Sequence, residues 1–154
     1  MTASITAADV GLEVSDLDPR HPLVRMPAFL DDGTMELLTE VDDCGVIAAT
    51  GTAHGTPVVV FCTDPTVQGG AMGIGGCQAI LVAYRRALAD GVPVVGLWHS
   101  GGARLREGVA SLHAVGEVFA IMTHVSGVIP QISVVLNNSF GFGGHNVALV
   151  FRSA

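Results

Sequence analysis

The residues whose types and order could do chemistry stand together after Trp98: His99, Ser100, Gly101, Gly102, Ala103 and Arg104. A double glycine lets backbone approach a ligand closely, since no side chain intervenes and positive φ is permitted. A helix start just beyond it supplies N–H groups with no intrahelical partner. Such groups hold a phosphate, or an oxyanion as it develops. The GxxxxGK[ST] spacing of a P-loop and the GxGxxG of a dinucleotide fold are both absent. Ser100 lacks the GxSxG elbow of an esterase, because Trp98 stands where glycine is required. The same pattern equally fits a plain strand-to-helix turn. His99 stands where a base could, although a histidine at a strand end is commonly only hydrogen-bonded, and His113 and His124 belong to no cluster.

The elements that must position this loop follow from periodicity. Pro93 to Trp98 is an apolar run behind Asp90-Gly91 and reads as a fully buried strand of a parallel sheet. From Arg104 onward the pattern is helical, with Leu112, Val115, Gly116, Phe119 and Met122 as the expected core stripe. Upstream, QGGAMGIGG from Gln68 to Gly76 is a second glycine loop. It precedes a helix whose stripe is Cys77, Ile80, Leu81, Tyr84, Ala87 and Leu88, capped by Gly91. Gly45 to Thr52 and Pro57 to Thr63 read as a hairpin turning at His54-Gly55, its second strand (VVVF) buried. Asp18 to Leu38, with Pro19, Pro22 and Pro27, reads as an extended arm lying across another element or subunit and ending in a short structured piece at Met35 to Leu38. Residues 1–17 read as a loose leader, and Gln131 to Leu136 as a last strand. Hairpin, helix, strand, helix, strand is an α/β order with a parallel crossover.

With 154 residues, one core is expected. Seven basic residues against 14 acidic ones give a net charge of −7, which argues against nucleic acid or an anionic membrane as partner. No apolar run approaches the ~18 residues that span a bilayer. Cys44, Cys62 and Cys77 have neither CxxC spacing nor neighbouring ligands, so reduced core thiols are expected and no metal site. The N-terminus has no secretory pattern, and the cytoplasm is the expected compartment.

Five collinear stretches, DPRHPLVRMPAFLDDGT, GVIAATGTAHGTPVVVFCTD, GGAMGIGG, WHSGGARLREGV and SGVIPQISVV, carry a resemblance over residues 18–135. They resemble the N-terminal part of the carboxyltransferase (beta) subunit of biotin-dependent acyl-CoA carboxylases of the acetyl-/propionyl-CoA type. The resemblance implies a crotonase-like β–β–α spiral, here the N-terminal half. It also implies transfer of a carboxyl group from carboxybiotin, carried by a biotin carboxylase/biotin-carrier (alpha) subunit, to the α-carbon of an acyl-CoA. No covalently bound cofactor, metal or covalent nucleophile belongs to this subunit. In family terms Gly101, Gly102 and Ala103 offer one oxyanion donor side. Gly69, Gly70 and Gly73 shape the CoA entrance, or serve only close packing. Arg104 contacts a CoA phosphate or, alternatively, pairs with Glu107. Such subunits work at dimer interfaces, which implies a homo-oligomer or association with a full-length homologue.

After Val135 the sequence departs from that pattern. LNNSFGFGGHNVALVF is similar to the C-terminus of a β-ketoacyl-ACP synthase, so the expected division is a carboxyltransferase part over 18–136 and a synthase-like tail over 137–154. Aligned without a gap, Gly141 falls on the family's first loop glycine and Phe142 on its second, so that the N–H of Phe142 or Gly143 could imitate the second oxyanion donor. Phe140 and Phe142 are expected to crowd the space where a pantetheine arm passes, and this crowding is expected to prevail, leaving the oxyanion hole blocked or unformed. Three functions follow: a carboxyltransferase segment inactive alone, a non-catalytic CoA-binding or assembly module, and, on the tail alone, a synthase-related protein.

Overall fold

The structure is a computed structural model that describes residues 14–126, 134–140 and 146–152. Its centre is a four-stranded sheet in the order β1 (Glu36–Leu37), β2 (Val46–Ala53), β3 (Thr56–Thr63), β4 (Val94–Leu97). The first three strands are antiparallel neighbours, while β3 and β4 run parallel with Val59 opposite Val94 and Cys62 opposite Leu97. β2 and β3 form the expected hairpin. Its two-residue turn has φ of 50° at His54 and 74° at Gly55, the twist that matches flanking strands. The Asp31 carboxylate braces that turn from outside, accepting the Thr52 hydroxyl at 2.6 Å and the N–H groups of His54 and Gly55 at 2.9 and 2.8 Å.

Strand alternation divides β2 and β3 between two cores. Val46, Ala48, Val59 and Phe61 face α2 (Ile74–Asp90) and α3 (Val109–Val125), whereas Ile47, Ala49, Val58, Val60 and Cys62 face α1 (Pro22–Phe29). A sheet covered on both sides needs strands apolar throughout, which is why VVVF is buried as expected.

The arm over 18–38 differs from the extended expectation, because residues 22–29 form α1. Pro22 sits at its start, where a missing N–H costs nothing, and the His21 Nδ1 accepts the Leu23 N–H at 3.1 Å as the cap. Pro27 comes late enough that the helix ends two residues beyond it. The arm does lie across another element: Leu23, Met26 and Leu30 are buried against β2 and β3.

α2 buries the expected stripe of Cys77, Ile80, Leu81, Tyr84 and Ala87, and Gly91 in the left-handed conformation closes it onto the Ala87 carbonyl. Two expectations downstream are corrected. β4 is half-buried rather than fully buried, since among the described residues it is the sheet's edge. α3 buries Ser111, Ala114, Val118 and Val125, while Leu112 and Phe119, expected in the core, are 62% and 63% exposed. Small residues at 111 and 114 let α3 approach α2, which turns its larger side chains outward. The last strand begins, in the described residues, at Val134 and runs past Leu136 to Phe140, pairing antiparallel with β6 (Asn146–Arg152) as a separate two-stranded sheet; β5 is Val134–Phe140.

Candidate functional site

The two glycine loops meet. Met72 and Ala103 form a parallel bridge: the Met72 N–H donates to the Gly102 carbonyl at 2.7 Å, and the Arg104 N–H to the Met72 carbonyl at 2.9 Å. One step earlier the Gly101 N–H donates to the Gly70 carbonyl at 3.0 Å. Contact this close requires glycine. A β-carbon on Gly101 would stand 2.6 Å from the Gly69 carbonyl oxygen, and one on Gly70 2.7 Å from that of His99. A β-carbon on Gly73 would collide with the Glu107 carboxylate and the Arg104 side chain, whereas Gly69 faces open space and is needed for its φ of 64°.

Among the described residues these bonds leave two donors of the loop over, the N–H groups of Ser100 and Ala103. The Gly101 N–H is spent on Gly70, the Gly102 N–H points at Ser100 Oγ at 3.2 Å, and the Arg104 N–H is spent on Met72. Among the described residues no acceptor takes the Ala103 N–H. Ala103 also lines an apolar groove of about 250 Å³ with Leu105, Gly108, Val109 and Leu112. A second hollow of about 250 Å³ is walled by Met72, Trp98, Phe119 and Met122. An N–H without a partner beside apolar walls is an arrangement suited to a developing oxyanion, because low dielectric strengthens the interaction.

Arg104 is placed differently from a ligand contact. Its guanidinium donates to the carbonyls of Ala71 at 3.0 Å, Cys44 at 2.7 Å and Asp43 at 3.3 Å, and lies 3.7 Å from the Glu107 carboxylate. Pairing with Glu107, the alternative weighed from sequence, is what the side chain does, and it ties three loops together as well. Glu107 in turn accepts the Ile74 N–H at 2.6 Å, so the start of α2 is already capped by a carboxylate and is not an open anion site. His99 is exposed and its ring packs over Gly70. Gly141, Phe142 and Gly143, with the expected second donor and the crowding at the tail, lie outside the described residues, as do the side chain of Phe140 and residues 1–13.

Sequence reasoning missed Thr63, and it saw Glu107 as a partner of Arg104 but not as the acceptor of the Ile74 N–H. Thr63 is 1% exposed at the end of β3, and its hydroxyl engages both backbone groups of His99. A lone hydroxyl closing an apolar strand was the available signal. The thiols are core groups as expected: Cys62 and Cys77 are buried and Cys44 half-buried, and burial pushes Cys44 and Cys62 each up to about 11. Among the described residues there is no group of three metal-ligating side chains, and no helix is long and apolar enough to cross a membrane.

Comparison with known proteins fits this geometry. The carboxyl transferase domain model matches residues 25–153, an interval that includes the stretch 137–151 expected from sequence to be a synthase-like tail. Over 133 residues the chain is 56% identical to the biotin-dependent acetyl-/propionyl-coenzyme A carboxylase beta6 subunit of Mycobacterium tuberculosis, covering 86% of this chain and 28% of that protein. Over 142 residues it is 49% identical to the propionyl-CoA carboxylase beta chain of Rhodococcus erythropolis, covering 92% of this chain and 30% of the relative. The chain thus spans under a third of the length of these relatives. Among solved structures it is similar to the transcarboxylase 12S hexamer core with hydrolysed methylmalonyl-coenzyme A bound (TM-score 0.65, 30% identity, 70% of this chain and 24% of that one). It is also similar to the geranyl-CoA carboxylase beta subunit of P. aeruginosa (TM-score 0.64, 27% identity, 71% and 23%). The hairpin, helix and parallel strand around Met72 and Ala103 are therefore part of a crotonase-like spiral, and the chain belongs to the carboxyl transferase domain family.

Proposed function

We propose that this chain supplies one side of an acyl-CoA carboxyltransferase site, with the Ala103 N–H facing the thioester oxygen of an acyl-CoA such as acetyl- or propionyl-CoA. The observation that carries this reading is that N–H, left without an acceptor among the described residues on a loop whose neighbouring donors are spent. When a thioester loses its α-proton, negative charge collects on its oxygen, and a donor already aimed there stabilises the enolate without reorganising. Carboxybiotin would supply the carboxyl group, its carboxyl–nitrogen bond breaking as the bond from the α-carbon to the carboxyl carbon forms, and the released biotin nitrogen would take up the α-proton. Carboxybiotin arrives on a biotin carboxylase/biotin-carrier partner. Gly69, Gly70 and Gly73 shape the CoA approach, and Arg104 serves as the clamp of the loop. The proposal keeps a division into 18–136 and a tail over 137–154, with catalysis completed by other chains.

The test is carboxylation from isotopic bicarbonate with a biotin carboxylase–carrier subunit and ATP, alongside calorimetric titration with acetyl-CoA and propionyl-CoA. Binding without turnover is expected of the purified chain. Robust turnover would overturn its dependence on other chains, and absence of acyl-CoA binding up to millimolar concentration would overturn the site. A second reading, a non-catalytic assembly module, is favoured by the outward apolar surface of α3 and the turn before it, where Leu105, Val109, Leu112 and Phe119 are 95%, 81%, 62% and 63% exposed. It is distinguished by capture of a full-length homologue with no gain in carboxylation.

A further inference from the structure

The backbone ladder between β3 and β4 ends at Cys62 and Leu97, yet the chain does not splay apart there. The next residue of β3, Thr63, takes over with its side chain. Its Oγ1 accepts the His99 N–H at 2.6 Å and donates to the His99 carbonyl at 2.8 Å. One hydroxyl therefore holds the peptide groups on both sides of His99 and sets the direction in which the chain leaves β4. The hydroxyl is out of contact with solvent, Thr63 being 1% exposed, so water does not compete for these bonds. A β-branched side chain is stiff at χ1, which makes the anchor a fixed one.

His99 is the first residue of the loop that ends in Ala103. The carbonyl that Thr63 holds is the atom lying against Gly70, and the following bonds from Gly101 to Gly70 and from Met72 to Gly102 are made in sequence from that starting point. Arg104 fixes the far end through Ala71 and Cys44. The loop is thus held at one end by a guanidinium and at the other by a single buried hydroxyl.

We infer that Thr63 is the positioning residue for the Ala103 donor: its hydroxyl, through His99, fixes where the Ala103 N–H points. The inference rests on the reading of that N–H as the thioester-facing donor, and the experiment separates the two. Thr63→Val keeps the shape of the side chain and removes the hydroxyl, while Thr63→Ser keeps the hydroxyl. Amide proton–nitrogen spectra of the full chain are recorded for the three proteins, free and with acetyl-CoA, with free CoA as control.

In Thr63→Val, His99 amide exchange is expected to quicken about tenfold, the loss of one buried hydrogen bond. The Gly102 and Ala103 resonances move, and the acetyl-CoA-induced shift at Ala103 disappears. Thr63→Ser is expected to restore all three, which a general packing defect would not. If the Ala103 resonance in Thr63→Val coincides with that of the parent protein, free and bound, the inference is overturned. If the parent itself shows no acetyl-CoA shift at Ala103 but Thr63→Val still displaces the free resonance, the positioning role stands and the functional reading falls. Should Thr63→Val fail to fold, the parent protein decides: a slowly exchanging Thr63 hydroxyl proton with a cross-peak to His99 is expected, and its absence overturns the inference.

Discussion

α2 and α3 are both 17-residue helices, each following a glycine loop, and they meet opposite ends in the fold. α2 turns its large apolar side chains inward, with Ile80 fully buried and Leu81 and Tyr84 nearly so. α3 turns inward only a narrow strip of small and medium residues, leaving Leu112 and Phe119 mostly in solvent. The sheet explains the difference. α2 lies on β2 and β3, where its partner surface is the same chain, whereas α3 packs mainly on α2 and has nothing described on its far side. A helix with a wide apolar arc is a helix meant to be covered over that arc. The relatives to which this chain is similar are about three times its length.

The comparison is broken most directly by truncating one residue on each helix. Ile80→Ala removes a fully buried side chain and is expected to cost about 2–5 kcal/mol in urea unfolding, while Leu112→Ala should stay within about 0.5 kcal/mol. Equal losses would mean that α3 is as buried as α2. Next comes the joint between the helices. Arg104→Ala frees three carbonyls and the Glu107 carboxylate that caps α2, at an expected cost of about 1–3 kcal/mol. Arg104→Lys should recover little of it, since an ammonium cannot fork between Ala71 and Cys44.

Association sharpens the same contrast. The purified chain is expected to self-associate with rising concentration, and the double variant Leu112→Glu with Phe119→Glu to sediment as a monomer with its Tm unchanged. A parent protein monomeric at every concentration would refute a covering role for that face. The smallest effect is on the alkaline limb. Burial raises the Cys44, Cys62, Cys77 and Tyr84 groups, and the chain has no lysine to mask them. A raised folded-state pKa favours the protonated form, so their stabilisation is full below the unfolded value of about 8.5 for a thiol. It is lost as pH rises toward the folded values of about 11 for Cys44 and Cys62. Cys62→Ala should flatten part of the fall in stability measured between neutral pH and that range. An unchanged slope would exclude the thiol as its source.

Much of this was legible in residue order because the causes are local. His54-Gly55 dictates the hairpin turn, VVVF a strand buried on both faces, Gly91 a helix stop, and the double glycines a close approach of loops. The stripe of α2 was readable because polar residues mark its other side. α3 marks its outer side with His113, Glu117 and His124, but the apolar arc that remains is wide, so periodicity alone could not say which part of it turns inward. That was decided by Ser111 and Ala114 fitting against α2.

What the sequence by itself determined is therefore the set of elements, their order, and the segments that form the loop pair. Turn chemistry and strand alternation act within a few residues and need no distant partner. Only the tertiary structure decided that the prolines of the arm permit α1 and that Arg104 serves carbonyls of its own chain. It also left the Ala103 N–H, at the bridge with Met72, without an acceptor among the described residues. Each of these depends on which atoms from residues 30 to 60 positions away arrive within hydrogen-bonding or packing distance, and that is a property of the assembled sheet and its helices rather than of any local run of residues.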